Sequence, residues 1–210
     1  SVDQYADDLR IVLDAAGIEK TAVWATSTGA PIGVRFAAKY PERISALITY
    51  PWFKTDDTWR GIMDCGHMVG KYFGTGAISR MFAGSVMPPA LLYSEAGMKF
   101  ELWARQRYEA NLNPNTLHHV TNAYREVDLT GDVKRIQCPV LLLMGNESLQ
   151  NKLDFMKEVS YDYLTQSFLD LKPDCEMATI TEAGSTYCMV THPGKCSSVV
   201  LDYLARTLPR

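Results

Sequence analysis

The sequence predicts an α/β fold with a parallel sheet, flanking helices and a helical insertion. Short apolar segments alternate with amphipathic helical segments in the first fifty residues, and the alternation resumes at residue 128. The strand segments are nearly continuous in apolar residues, as is typical of parallel strands buried on both faces. We therefore divide the chain into residues 1–51 of the core, a helical segment 52–127, and a C-terminal core segment 128–210.

The first core segment predicts two helices and two strands. Apolar residues at three- and four-residue steps indicate a helix over Val2–Ala16. The apolar strands Thr21–Ala25 and Ile44–Tyr50 flank a second helix over Gly29–Tyr40, which Pro41 ends because proline cannot continue a helix.

The middle segment differs from the core in composition. Glycines and Pro88-Pro89 interrupt it, and we predict helices over Glu95–Asn111 and Asn115–Glu126. Its aromatic and methionine side chains either line a pocket or pack the segment onto the core, and packing is the simpler explanation for most of them. They are Trp59, Met63, Tyr72, Phe73, Met81, Phe82, Met87, Tyr93, Met98, Phe100, Trp103 and Tyr108.

The C-terminal core segment predicts the rest of a four-stranded parallel sheet. An apolar strand begins after Pro139, and a second, short strand covers Met177–Thr181. A long helix over Lys152–Leu171 separates these strands, and an amphipathic helix over Ser197–Leu208 follows them.

Composition excludes several classes of partner. The net charge is −3 without a basic cluster, which argues against nucleic acid. No apolar run approaches the roughly 20 residues of a membrane span, and the acidic N-terminal stretch is not typical of a signal peptide. The five cysteines form no C-x-x-C motif, so we expect no metal site and free thiols in a reducing cytoplasm, although Cys188 and Cys196 could pair across a loop.

One serine lies at the apex of a predicted strand–turn–helix. The segment Ala25-Thr26-Ser27-Thr28-Gly29 resembles the nucleophile elbow of the α/β-hydrolase family, usually G-x-S-x-G, with Ala25 where the family has glycine. The passage Phe36–Ile48, with its P-E-R sequence before an apolar strand, strengthens the resemblance. The sequence around Ser27 is also similar to that of hydrolase-like domains fused to bacterial nucleotide cyclases. The resemblance implies a partial α/β-hydrolase fold with a helical cap and Ser27 as nucleophile.

The resemblance also implies an acid and a histidine later in the chain. Ser148 occupies the usual acid position, and the neighbouring Glu147 is either a substitute acid or a solvated loop carboxylate. Ser185 occupies the usual histidine position. His192 follows seven residues later, where the family begins its last helix, and could reach the site only through an enlarged loop. The remaining histidines, His67, His118 and His119, belong to the helical segment.

The oxyanion hole and the sheet edge are predicted to be incomplete. The backbone N–H of Thr28 would be one oxyanion donor, whereas the other belongs to a loop of the family's early strands. Only 26 residues precede Ser27, so we expect the first four family strands to be absent. The strand Thr21–Ala25 would then have an open apolar edge, which we expect the rest of the same protein, a partner subunit or a second copy to cover.

Two functions remain open from the sequence. The first is a serine hydrolase that cleaves an ester, amide or similar acyl bond of a small apolar substrate without a cofactor, with Ser27 as nucleophile and Glu147 and His192 as acid and base. The second is a catalytically degenerate member that serves as a ligand-binding or protein-interaction domain, because Ser148 and Ser185 replace two members of the triad.

Overall fold

The computed structural model describes residues 1–86, 93–111, 113–147, 160–184 and 188–208. Its centre is a sheet of four strands, β1 (Thr21–Ala25), β2 (Ile44–Thr49), β3 (Val140–Glu147) and β4 (Glu176–Gly184), arranged in that order. Every neighbouring pair is parallel. The predicted α/β fold with four parallel strands is confirmed.

Helices cover both faces of the sheet. On one face, α1 (Val2–Ala15), α2 (Gly29–Lys39), α7 (Thr130–Arg135) and α8 (Tyr161–Leu171) enclose a core that includes Phe36, Leu47, Leu142 and Phe168. On the other face, α9 (Cys188–Thr191) and α10 (Pro193–Thr207) pack on Ile48, Leu141, Leu143 and Ile180. Alternate residues of β3 enter the two cores, because successive side chains of a strand point to opposite faces. None of the helices in the described ranges is long and apolar enough to cross a membrane.

Most of the described chain between β2 and β3 is helical. It contains α3 (Asp57–Phe73), α4 (Thr75–Val86), α5 (Glu95–Asn111) and α6 (Pro114–Tyr124). The sequence predicted the last two and missed the first two, because three glycines lie inside α3. Gly66 and Gly70 are buried within that helix, so they serve helix packing and do not interrupt the helix.

The chain enters and leaves this helical segment through a short two-stranded stem, residues 53–55 and 127–129. The N–H of Leu129 donates to the carbonyl of Phe53 at 2.9 Å, and the N–H of Thr55 donates to the carbonyl of Val127 at 2.8 Å. Lys54 and Asp128 form an antiparallel bridge between these bonds. The two ends of the segment are therefore held side by side at the sheet.

Three predicted boundaries are wrong. The helix α8 begins at Tyr161, because Ser160 is extended and its hydroxyl caps the N–H of Tyr163 at 3.4 Å; the predicted helix does not run through residue 160. The last strand extends to Gly184, beyond the predicted end at Thr181. The last helix begins at Pro193, before the predicted start, because proline is well suited to a first helical position.

An ion-pair network holds α2 against two neighbouring helices. Arg35 of α2 donates to Asp3 of α1 at 2.8 Å and to Asp132 of α7 at 2.9 Å. Lys39 donates to Asp3 at 3.0 Å, and Arg135 donates to Asp132 at 2.6 Å. The side chain of Asp132 is 6% exposed, and a carboxylate this buried needs such partners. The network fixes the helix that begins at the predicted nucleophile.

One edge of the sheet carries an exposed tryptophan. Within the described ranges β1 pairs with β2 alone. Trp24 on β1 is 40% exposed, and α1 presents Ile11 and Val12 to solvent nearby in the chain. The strand has neither a charge nor a proline, the usual devices that protect such edges.

Candidate active site at the serine elbow

Ser27 lies at the turn between β1 and α2 with a left-handed backbone. Its φ is +51°, one of two positive φ values at non-glycine residues in the described chain. This conformation costs a residue with a Cβ about 1–2 kcal/mol. The turn is held by the N–H of Gly29, which donates to Thr26 at 2.8 Å, and that of Ala30, which donates to Ser27 at 2.9 Å. The predicted strand–turn–helix with Ser27 at its apex is confirmed.

The close approach of α2 to β1 depends on a glycine outside the motif. A Cβ at Gly33 would lie 2.5 Å from the Cβ of Ala25 and 3.1 Å from Cδ1 of Leu47, whereas a Cβ at Gly29 would meet nothing within 4 Å. Sequence reasoning selected Gly29 and overlooked Gly33. Its only signal was a glycine inside an otherwise regular amphipathic helix.

The N-terminus of α2 presents a donor beside Ser27. No acceptor for the N–H of Thr28 is found among the described residues, and the Thr28 side chain does not cap the helix. The first turn of α2 contains no acidic residue. The partial positive charge of a helix N-terminus is therefore left unneutralised here, which suits an anion at this position.

The carboxyl ends of all four strands share the edge at which Ser27 lies. Glu147 ends β3, is half-buried and pairs with Gly184 at the end of β4. Because β3 is two strand spacings from β1, about 10 Å separate the two strand ends. Ligands of open parallel sheets bind at this edge. Ser27 and Glu147 are thus at the same edge, and their side chains must span the width of β2 to meet.

The ends of β3 and β4 approach each other closely at Gly145, and Glu182 beside this contact has a strained backbone. A Cβ at Gly145 would lie 2.2 Å from the carbonyl oxygen of Ala183, so only glycine allows this approach. The pairing shifts register here, and the Asn146 side chain accepts from the N–H of Glu182 at 3.1 Å. Glu182 has a φ of +61°. Such strain persists only where the surroundings enforce it and is frequent at functional sites.

His192 is the residue that precedes α10. It follows α9 directly, is half-buried, and its Nδ1 lies 2.9 Å from the hydroxyl oxygen of Thr191. The family resemblance implied a helix start at this position, four residues before the start expected from the amphipathic pattern. Within the part of the chain that the structure describes, no hydrogen bond joins Ser27 to Glu147 or His192. Ser148 and Ser185 lie outside the described residues.

Aromatic side chains stack where the helical segment meets the same sheet edge. Trp52, just after β2, stacks on Trp59 of α3 at 4.9 Å and on Tyr124 of α6 at 5.6 Å between ring centroids. Burial, followed by the influence of Tyr5, raises the pKa of Tyr124 to about 12. These rings pack the segment onto the core, and Trp59 therefore has the packing role predicted for most of the segment's aromatic and methionine residues. Five others of that predicted set are more than half exposed: Tyr72, Phe73, Tyr93, Met98 and Trp103.

An open cavity of about 530 Å³ lies elsewhere, between β4 and α10. Its lining includes Thr179, Thr181, Lys195 and Ser198. Because β4 is three strands away from β1, this cavity does not belong to the Ser27 site. No group of three or more metal-binding side chains is present in the described ranges.

The parallel sheet, the serine on a left-handed turn and the helix that follows define the chain as a protein of the α/β-hydrolase fold. The deep-sea metagenome α/β hydrolase MGS-M2 superposes with a TM-score of 0.82 at 20% identity, over 98% of this chain and 72% of that one. The thermophilic esterase from Thermogutta terrifontis superposes with a TM-score of 0.78 at 17% identity, over 99% and 73%.

The chain belongs to the Ndr family, whose sequence profile matches residues 1–195. It is also similar to a protein of Escherichia coli O7:K1 (strain IAI39) named "Putative carbamate hydrolase RutD". The two are 24% identical over 214 residues, which cover 99% of this chain and 74% of that protein.

Proposed function

We propose that the chain is a serine hydrolase in which Ser27 is the nucleophile. The observation that carries the proposal is the left-handed Ser27 at the β1–α2 turn, with a φ of +51°. A regular helical or extended backbone would not place the hydroxyl at the apex of the turn, at the carboxyl edge of the sheet. The strain is maintained by the close contact between Gly33 and Ala25 and by the ion pairs of α2.

The reaction would use the groups at this edge in sequence. The Ser27 Oγ attacks the acyl carbon of the substrate while its proton passes to a base, for which His192 is the candidate. The oxyanion that forms is stabilised by the N–H of Thr28 and the α2 N-terminus, an interaction absent from the ground state. The intermediate then expels the alcohol or amine, and water hydrolyses the acyl-enzyme. No cofactor is needed.

Glu147 and His192 require a specific arrangement to serve as acid and base. The acid must hold the imidazole, and the imidazole must come within about 3 Å of the serine hydroxyl, directly or through one water. Both residues belong to segments that leave the sheet at its carboxyl edge, after β3 and β4. In this proposal His192, which lies between α9 and α10, has to reach over the end of β2 towards Ser27.

The proposed substrate is a small apolar molecule with an ester, amide or carbamate bond. The carbamate follows the name of the RutD relative. The aromatic stack of Trp52, Trp59 and Tyr124 at the same edge supports an apolar environment for the acyl group. The helical segment above it would serve as a cap that excludes water.

A fluorophosphonate probe tests the proposal, because it phosphonylates a serine only when the hydroxyl is activated. We expect labelling at Ser27, its loss in Ser27→Ala, and its retention in Ser197→Ala, which removes an exposed serine of α10. Labelling of the natural chain no faster than that of Ser27→Ala would exclude the nucleophile role.

The alternative is a degenerate member of the fold that binds a ligand or another protein. The observation that favours it is the presence of Ser148 and Ser185 at the family's acid and histidine positions. Changing Ser185→His and Ser148→Asp together should raise esterase activity if the rest of the site is intact, because the acid orients the imidazole. Activity at the blank in both the natural chain and the double variant would favour the binding function.

A further inference from the structure

Two buried cysteines flank His192 in the same core cluster. Cys188 begins α9 and is 1% exposed, and Cys196 lies in the first turn of α10 and is 0% exposed. Both belong to the core on the α10 face of the sheet. Neither cysteine forms a disulfide in the structure.

The break at His192 brings the two cysteines together. The N–H of His192 donates to the carbonyl of Cys188 at 2.7 Å, and the N–H of Cys196 donates to the carbonyl of His192 at 3.1 Å. In a straight helix, eight residues would span about 12 Å. His192 interrupts the helix with φ −133° and ψ 54°. The pKa of Cys188 is raised to about 12, first by burial and then by the neighbouring Cys196. The two thiols are therefore close enough to interact.

We propose that Cys188 and Cys196 form a dithiol that closes to a disulfide under oxidising conditions and thereby fixes the position of His192. The bond would join the two helices on either side of this residue. A disulfide holds the two Cα atoms within about 7 Å and restricts the orientation of both Cβ atoms. The proposal goes beyond the hydrolase function and does not depend on Ser27 being a nucleophile.

Glutathione disulfide, a small-molecule disulfide oxidant, accepts the two electrons that the dithiol loses. The thiolate of Cys188 attacks one sulfur of the oxidant, forms a mixed disulfide and releases one glutathione thiolate. The thiolate of Cys196 then attacks the Cys188 sulfur and releases the second glutathione thiolate. The protein loses two protons and two electrons, and the oxidant becomes two molecules of glutathione.

Access to the buried pair requires local opening of α9. This helix is a single turn of four residues, and helices of this length have little stability of their own. Its opening exposes Cys188 while α10 holds Cys196 in the core. Because both thiols have raised pKa values, mainly through burial, the closed form reacts slowly and opening sets the rate.

The other cysteines lie away from this pair. Cys65 is exposed on α3. Cys138 and Cys175 belong to the core on the opposite face of the sheet from Cys188 and Cys196, so the sheet separates them from this pair. These three thiols are therefore internal controls.

The experiment treats the folded, natural chain with buffers of increasing glutathione disulfide, blocks free thiols in acid and maps the peptides without reduction. Cleavage after Lys195 separates Cys196 from Cys188, and cleavage after Glu182 separates Cys188 from Cys175. We expect a Cys188–Cys196 bridged pair that loses the mass of two hydrogens and disappears on reduction. The thiols of Cys138 and Cys175 should remain available for blocking.

Two further variants isolate the pair. Cys196→Ser should leave Cys188 unbridged, whereas Cys138→Ser should leave the bridge unaffected. In the natural chain, oxidation should also shift the imidazole NMR signal that His192→Ala removes, because the bridge spans this residue. The proposal fails if Cys188 and Cys196 remain free or carry only glutathione when Cys65 is fully glutathionylated. A bridge from either cysteine to a third one would equally overturn it.

Discussion

Replacing Gly33 by alanine should destabilise the protein because the new Cβ has no space. It would lie 2.5 Å from the Cβ of Ala25, and neither atom can rotate away from the other. Overpacking of this kind costs about 3 kcal/mol at the upper end of its usual range. Alanine recovers about 1 kcal/mol through its higher helix propensity. We therefore expect a net loss of about 2 kcal/mol, or about 4–8 °C in Tm.

A compensating change at Ala25 should restore stability. Ala25→Gly alone removes a buried methyl group and places a glycine in a strand, at a cost of about 1.5 kcal/mol. In Ala25→Gly with Gly33→Ala the clash disappears and the new methyl group occupies the vacated space. The double variant should lie within about 1 kcal/mol of the natural chain, although the single effects sum to about 3.5 kcal/mol.

Urea unfolding followed by circular dichroism measures these differences. Gly29→Ala is the matched control, because a Cβ there meets nothing within 4 Å and the residue is the first of α2. It should be neutral or stabilising by up to about 1 kcal/mol. Additive effects at Ala25 and Gly33, or equal losses at Gly29 and Gly33, would refute the close-approach explanation.

Three further predictions concern acid stability, association and activity. Hydrogen bonds from Arg35 and then Lys39 lower the pKa of Asp3 below its usual 3.8. The ionised Asp3 therefore stabilises the folded state above the unfolded-state pKa, and this stabilisation is lost as the pH falls through the folded-state pKa. The Tm difference between the natural chain and Asp3→Asn should therefore shrink as the pH is lowered from about 6 through this range. We expect another polypeptide to cover the β1 edge, so Trp24→Lys should reduce self-association of the isolated chain in light scattering; a monomer before the change would contradict this. If His192 is the base, His192→Ala should lower ester hydrolysis about 100–10,000-fold, and unchanged turnover would remove it from the mechanism.

The elbow was predictable from sequence because local signals agreed there. The apolar strand, the small residues around Ser27 and the amphipathic helix before Pro41 all indicate the same strand–turn–helix. The turn at Ser27 followed from this pattern, whereas its left-handed backbone is a finding of the structure. The nearly continuous apolar strand segments indicated a parallel sheet, and the family resemblance agreed with it.

The helical segment was less predictable because glycine has two opposite uses. In α3, Gly66 and Gly70 are buried helix positions, whereas Gly74 ends that helix with a φ of +84°. Composition does not distinguish these uses, since it is the neighbouring helix that decides whether a missing side chain is required. The same reason explains why Gly33 was overlooked: its partner, Ala25, is eight residues earlier in the chain but in direct contact.

The candidate site was predicted in part. Sequence placed Glu147 at the end of a strand and His192 before the last helix, and both positions are found. Their catalytic roles stay predictions, because sequence spacing does not fix where a side chain points. The sequence alone left the pairing of Cys188 with Cys196 undecided, because their proximity depends on the helix break at His192.

The stem at residues 53–55 and 127–129 makes the helical segment separable from the sheet. Its hydrogen bonds join the two chain ends directly, so the segment leaves the sheet as a closed loop, which also packs on the core through Trp59 and Tyr124. The entropy of closing a loop changes slowly with its length. Segments of different size and shape could therefore be exchanged above the stem while β2 and β3 keep their pairing. In this architecture the helical segment can change in sequence and size while the sheet that carries Ser27 stays the same.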